Sequence, residues 1–181
     1  MKKNVWIAIA LVVAVFSFSS CGTQQNATQP TSKPVTTDTV VSVEPIKDVI
    51  SIAEALDMFQ NSDKTAAITK KYGYKLKTNY EVYRLDKFSK MYYKNCALAK
   101  LLTADKYEDY PKPMRKGVSS YIAFKDGAMI IAVFNQPAYD NLVAQVKAAG
   151  FTLDMPGNED IYKKGNRTIA CYKDGKSVRI E

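Results

Sequence analysis

The sequence contains no histidine among its 181 residues. Histidine is the side chain best suited to proton transfer near neutral pH, and it is a common ligand of zinc and copper. Its absence excludes Ser-His-Asp catalysis, Cys-His catalysis and any metal site built on histidine. The glycine-rich loops of nucleotide-binding proteins and the serine motifs of hydrolases are missing too. We therefore expect no cofactor, no metal and no catalytic residue of these classes.

Carboxylates are the remaining candidates for catalysis. Adjacent acidic residues stand at Glu108–Asp109 and at Glu159–Asp160, and two carboxylates can act as acid and base in glycoside hydrolysis. Acidic pairs in polar stretches are more often part of solvated loops. We predict that the protein is not an enzyme, and a cell-wall or glycan hydrolase that depends on Glu81, Glu108 or Glu159 is the alternative function.

The sequence also lacks an apolar run long enough to cross a bilayer. Its longest run holds twelve apolar residues at positions 5–16, whereas a membrane-spanning helix needs roughly 17 to 25. Lys2 and Lys3 precede this run, and small residues follow it up to Cys21. A basic start, a short apolar centre and small residues are typical of a secretory signal peptide. We predict that residues 1–20 are such a peptide; a membrane anchor and a plain signal peptide with a nearby cysteine are the alternatives.

The segment Phe18-Ser19-Ser20-Cys21 resembles the lipobox of bacterial lipoproteins, in the looser form found in Bacteroidota. This resemblance implies cleavage before Cys21, lipidation of its sulfur and acylation of its new amino group, so that the protein is anchored to a membrane. Gly22 stands where an aspartate resembles an inner-membrane retention signal, which favours the outer membrane. No acidic cluster follows Cys21, which favours a domain that faces the periplasm; the cell surface is the alternative location.

Residues 21–48 are predicted to form a lipidated flexible tether. They are rich in Thr, Gln, Ser and Pro, a composition that buries too little apolar surface to offset the conformational entropy of folding. A flexible coil of this length holds a domain on the order of 30 Å from the membrane. Within it, Asp38-Thr39-Val40 resembles a short O-glycosylation motif of Bacteroidota, which implies a sugar on Thr39.

Residues 49–181 have the size of one compact domain. The formal net charge of the chain is +8, and loss of Lys2 and Lys3 with the signal peptide leaves +6. A basic balance often indicates nucleic acid, but an exported protein meets little of it, so we expect no nucleic-acid partner. In addition to the predicted lipid acceptor, the chain contains Cys96 and Cys171. An oxidising compartment permits a disulfide between them, and two separate thiols are the alternative.

The domain pattern predicts an α+β fold. Ser51 and Glu54 form a capping box at the start of a helix, a second short helix ends at Tyr72, and a third runs from Pro137 to Ala149. Lys-Asp-Gly segments at 125–127 and 173–175 separate apolar runs and predict two hairpins. A third hairpin is predicted from 91–93 and 97–102, around Lys94-Asn95-Cys96.

An internal repeat connects these elements. Gly73 and Gly150 stand 77 positions apart, and each is followed by an aromatic residue and, two positions later, by leucine. Val82-Tyr83 and Tyr93-Lys94-Asn95 have counterparts in Ile161-Tyr162 and Tyr172-Lys173-Asp174. We predict a tandem repeat of helix and antiparallel sheet, with repeat 1 at about 51–104, a linking hairpin at 117–134, repeat 2 at about 137–181 and both glycines in left-handed caps. The alternative is a coincidence of common local structures.

In outline this arrangement resembles the duplicated helix-and-sheet domains of the β-lactamase inhibitory protein and the PepSY-type modules of bacterial envelopes. The resemblance implies binding of another envelope macromolecule on an exposed sheet face, and we predict that this partner is a protein. Tyrosine suits protein interfaces because it combines a rigid apolar ring with a polar tip. The chain has twelve, and our candidates for the binding surface are Tyr74, Tyr83, Tyr92 and Tyr121. Ordinary half-buried strand tyrosines are the alternative.

Overall fold

A computed structural model describes residues 42–82, 86–98, 101–103, 106–107 and 111–181. Cys21, Thr39, Tyr83 and the Glu108–Asp109 pair lie outside these residues.

The helices of the described residues begin and end close to the predicted positions. They are α1 (Ile52–Gln60), a 3-10 turn (Ser62–Lys64), α2 (Thr65–Tyr72) and α3 (Gln136–Ala148). The hydroxyl of Ser51 accepts a 3.2 Å hydrogen bond from the amide of Glu54 and donates one of 2.9 Å to its carboxylate. Asn135 caps α3 by accepting from the amide of Ala138. These caps pair amides that a helix start otherwise leaves without partners.

Eight strands build one antiparallel sheet. They are β1 (Lys75–Val82), β2 (Asp86–Lys94), β7 (Ser120–Lys125), β8 (Ala128–Val133), β9 (Thr152–Met155), β10 (Glu159–Lys164), β11 (Arg167–Tyr172) and β12 (Ser177–Ile180). Their order across the sheet is β1-β2-β7-β8-β12-β11-β10-β9. Two small ribbons join β3 (Cys96–Ala97) to β6 (Lys112–Pro113) and β4 (Leu101–Thr103) to β5 (Lys106–Tyr107). The predicted α+β class is confirmed.

The two hairpins predicted from Asp-Gly are confirmed, but their turns differ. Between β7 and β8, Asp126 and Gly127 both have positive φ, as a two-residue turn requires. Between β11 and β12, the left-handed residue is Lys176 instead of Gly175. Gly175 is required for space, because a Cβ atom there would lie 2.5 Å from the ring of Tyr172.

The third predicted hairpin is wrong. After its hairpin with β1, β2 pairs with β7, with Lys94 opposite Ser120, and the chain leaves the sheet at Asn95, whose φ is 51°. Cys96 then pairs with Pro113 in the separate ribbon. The backbone carbonyl of Asn95 accepts hydrogen bonds from the amide of Met114 and the hydroxyl of Ser119, and these bonds direct the chain into the ribbon.

The main core lies between the helices and one face of the sheet. Side chains from α1 and α3 pack against the inner residues of β7, β8, β11 and β12 in a single apolar cluster. Its largest fully buried members include Ile52, Met58, Ile122, Leu142 and Ile169. We call this side of the sheet the helix face and the other side the open face.

The N-terminal segment is fixed to α3 by two amide side chains. Asn141 accepts from the amide of Ile46 at 3.3 Å and donates to the carbonyl of Glu44 at 2.9 Å. The buried Gln145 accepts from the amide of Ile52 at 2.9 Å. The domain therefore includes Glu44, and the predicted tether boundary after residue 48 lies too far along the chain.

The two predicted glycine caps are confirmed. Gly73 and Gly150 have φ of 74° and 83°. The amide of each donates to the carbonyl three residues earlier, and the next amide donates to the carbonyl five residues earlier, at Thr69 and Val146. This is the Schellman arrangement, which glycine adopts without steric cost.

The later matches of the predicted repeat fall on different strands. Val82 ends β1, the first strand after its cap, whereas Ile161 lies in β10, the second. The cause is strand length, since β1 has eight residues and β9 has four. The same number of residues after the glycine cap therefore reaches the first strand in the first half and the second strand in the second half. The predicted linking hairpin at 117–134 is part of the same sheet, where β7 pairs with β2 and β8 pairs with β12.

Candidate functional site

The four tyrosines predicted to share a binding surface do not lie together. Tyr74 is 8% exposed and belongs to the main core. Its hydroxyl shares a 2.7 Å hydrogen bond with that of Ser120, and burial raises its pKa to about 12. The prediction that Tyr74 lies on a binding surface is therefore wrong.

Tyr92 and Tyr121 lie on opposite faces of the sheet. Tyr92 pairs with Ile122 of the main core, so its half-buried ring lies on the helix face, where it contacts Phe124 edge-on. Tyr121 pairs with Tyr93 and faces the open side. Of the predicted tyrosines that the structure describes, only Tyr121 remains a candidate for an open-face site.

The β1–β2 end of the open face is covered by its own hairpin. Tyr80, Val82 and Phe88 pack with Met91 and Ala123 in a second apolar cluster. Strict alternation along β1 would place Tyr80 on the helix face. The positive φ of Asn79 interrupts this alternation, which lets the end of the hairpin fold over the open face.

The β10–β12 part of the open face carries an arginine between two glutamates. Arg179 stands between Ile130 and Ala170 in the strand register. Its Nη2 atom donates to Glu159 at 2.9 Å. Its Nε atom lies 2.8 Å from the carboxylate of Glu181 but is not oriented to donate a hydrogen bond to it. The Arg179 side chain is 36% exposed, so this guanidinium is fixed in place yet accessible.

Large apolar side chains surround this arginine. Met155 is 60% and Tyr172 is 36% exposed, and Ile130 and Ile161 are half-buried on the same face. Tyr172 lies against Gly175, which leaves room for its ring. The resulting surface combines a held arginine with a tyrosine and a methionine, three residue types that are enriched at protein interfaces.

Of the carboxylates considered for the alternative hydrolase, those that the structure describes do not form a pair. Glu159 binds Arg179 on the open face, whereas Asp160 is opposite Cys171 and points to the helix face. Glu81 is exposed on β1 at the far side of the sheet. Acid and base roles require two carboxylates near one bond, and these three residues do not meet that condition.

Both described cysteines are free and buried. Cys171 lies in the main core, and Cys96 lies in the ribbon beside β2 with its sulfur near the carbonyls of Lys94 and Ser120. Burial raises the pKa of Cys96 to about 11 and that of Cys171 to about 12. Thiols with raised pKa are poor nucleophiles at neutral pH.

No group of acidic and cysteine side chains in the described ranges could hold a metal ion. Among the same residues, no helix is both long and apolar enough to span a membrane. No family model matches the chain, and no curated protein or solved structure is significantly similar to it.

Sequence reasoning missed Arg179, Met155 and Tyr172 as surface residues. Strand alternation in β12 could have predicted that Arg179 lies on the open face, because its neighbours Val178 and Ile180 are apolar core residues. Successive residues of a strand point to opposite faces of the sheet.

Proposed function

We propose that this protein is a lipoprotein, anchored to the outer membrane through Cys21 and facing the periplasm, whose domain binds an envelope protein on the open face. The observation that carries the binding part is the held Arg179 with Tyr172 and Met155 around it on a sheet face that the helices leave uncovered. The signal-peptide and lipobox patterns carry the anchoring part.

The strand order supports a structural duplication, although the later sequence matches between the two halves fall on different strands. In each half a glycine-capped helix is followed by four antiparallel strands, β1-β2-β7-β8 and β9-β10-β11-β12, and the two halves meet between β8 and β12. This is the arrangement that the resemblance to duplicated binding domains implies. We propose that the halves arose by duplication and that the insertion between β2 and β7 came later.

Site-specific photo-cross-linking tests the binding part. A photoreactive amino acid at Tyr172 in the full-length protein, expressed in its own cells, should give one discrete adduct whose partner is identified by mass spectrometry. Lys70, exposed on α2, is the matched control on the helix side and should not give that adduct. Equal adducts at both positions, or none at Tyr172, would contradict the proposal.

Metabolic labelling with a fatty-acid analogue tests the anchoring part. The label should appear on the wild-type protein and be absent from Cys21→Ser. A mature mass that still includes residues 1–20 would contradict cleavage. Fractionation of inner and outer membranes, followed by protease treatment of intact cells, tests the proposed location.

A further inference from the structure

A depression of about 400 Å³ opens beside Tyr172, at the end of the sheet where β8 ends and β12 begins. Most of its lining is aromatic, proline or small and apolar, at Pro111, Pro113, Tyr121, Ala132, Val133, Phe134 and Gly175, and Lys112 is its one charged lining residue among those that the structure describes. The rings of Tyr121 and Phe134 are tilted at 56° with centroids 6.1 Å apart, so they form two sides of a concave surface. This volume lies within the range of sites that bury a small ligand or a large side chain.

Basic residues lie close in sequence to the lining of this depression. Lys173 and Lys176 stand in the β11–β12 turn with Gly175, and Arg115 and Lys116 follow Pro113 by two and three residues. None of these four side chains forms an ion pair with any residue that the structure describes. Asp174 is the single acidic residue within the two segments 111–117 and 173–176. These two segments therefore carry a positive net charge, and we call them the basic rim of the depression.

We propose that this depression receives a large apolar side chain of the partner protein, and that carboxylates on either side of that side chain contact the basic rim. The inference rests on the proposed function and specifies its partner as an acidic segment with a phenylalanine-like anchor. Apolar burial supplies affinity at the floor, and the opposite charges fix the orientation and speed the encounter.

The chemistry of the lining separates this ligand from a glycan and from a bilayer. Among the residues that the structure describes, no carboxylate or carboxamide side chain lines the depression, whereas such groups are the usual partners of sugar hydroxyls. A protein that binds a membrane surface presents protruding apolar side chains to it, and here the apolar surface is concave. A single inserted side chain fits this shape.

Titration of the full-length protein in neutral detergent, followed by two-dimensional NMR, tests the inference. The probe is a five-residue peptide with a central phenylalanine and two glutamates on each side. Its two controls replace the phenylalanine with alanine or the glutamates with lysines. The probe should shift the resonances of Tyr121, Ala132, Phe134 and Gly175, and each control peptide should bind at least about fivefold more weakly than the probe.

Two variants and one matched control locate the contact. Phe134→Ala should lower the affinity for the probe about tenfold, because it removes one wall of the depression. Lys173→Glu with Lys176→Glu should lower this affinity at least about fivefold. Lys87→Glu with Lys90→Glu makes the same charge change on exposed residues of β2 and should leave the affinity unchanged. Unaltered resonances away from the depression will show that each variant is folded.

Equal binding of the alanine control or of the lysine control would overturn the inference, as would shifts produced only by phosphatidylglycerol vesicles. The proposed function can fail separately. An absent adduct at Tyr172 with selective peptide binding would contradict only the proposed function in the cell. A partner cross-linked at Tyr172 without peptide selectivity would contradict only the anchor inference.

Discussion

Replacing Tyr74 with phenylalanine should destabilise the domain, because its hydroxyl connects three parts of the fold. This hydroxyl shares a 2.7 Å hydrogen bond with Ser120, which is 0% exposed, and it also interacts with the backbone of Ile50. Loss of one net hydrogen bond costs about 1 kcal/mol, and an orphaned buried polar group costs about 1 to 3 kcal/mol. We expect Tyr74→Phe to lower the free energy of unfolding by about 2 to 3 kcal/mol.

A double-mutant cycle with Ser120→Ala isolates the shared bond. The Ser120→Ala change alone should cost about 1 to 2 kcal/mol, and the double variant should cost about 1 kcal/mol less than the sum of the two single changes. Urea unfolding followed by circular dichroism measures all three values, since the single tryptophan, Trp6, lies in the predicted signal peptide. Strictly additive costs would refute the reasoning.

The same variant has a pH signature. The folded-state pKa of Tyr74 is raised from 10 to about 12, so its contribution to stability is complete below pH 10. Above pH 10 the unfolded state ionises first, and stability falls until about pH 12. The loss amounts to about 2.7 kcal/mol for a pKa difference of about two. Tyr74→Phe should unfold with a shallower pH dependence than the wild type between pH 10 and 12, and equal slopes would contradict the raised pKa.

Three further predictions follow from other contacts. Gly73→Val should cost about 1 to 2 kcal/mol through backbone strain alone, because no atom of the described residues lies within 4 Å of the added Cβ. Gly73→Asn should cost clearly less in the same urea assay, and equal costs would count against a left-handed cap. The pKa of Cys171 is raised from 9 to about 12, so Cys171→Ala should flatten the fall in stability between pH 9 and 12, as measured by thermal melts across that range. Asn141→Ala should release Glu44 and Ile46, and hydrogen exchange should then increase at the N-terminal segment while the exchange of β12 stays unchanged.

Local patterns predicted the elements whose stability is local. The Ser51 cap, the glycine caps and the Asp126-Gly127 turn depend on neighbouring residues, so the sequence specifies them directly. The hairpin predicted at Lys94-Asn95-Cys96 was wrong because Lys94 pairs with Ser120 of β7, 26 positions further along the chain. Pairing at that distance depends on which strands bury their faces together, and local propensity does not contain that information.

The candidate site was harder to predict for a related reason. Which face a tyrosine takes depends on register, and one residue of displacement reverses it. Tyr92 and Tyr93 are adjacent, yet the register places Tyr92 beside the main core and Tyr93 on the open face. The left-handed backbone of Asn79 also changes the face on which Tyr80 lies, and strand alternation alone does not predict this change. The position of Arg179 between two glutamates likewise required the pairing of β10, β11 and β12.

The attachment of Glu44 and Ile46 to Asn141 on α3 determines the side from which any N-terminal connection reaches the domain. The chain arrives at the helix layer, and the sheet separates this layer from the open face. A lipid, a surface linker or a fluorescent label placed N-terminal to residue 42 is thus joined to the domain at the helix layer, on the side of the sheet opposite to Arg179 and Tyr172. Attachment of the protein through its N-terminus therefore joins it at a different side of the domain from the surface that we propose binds a ligand.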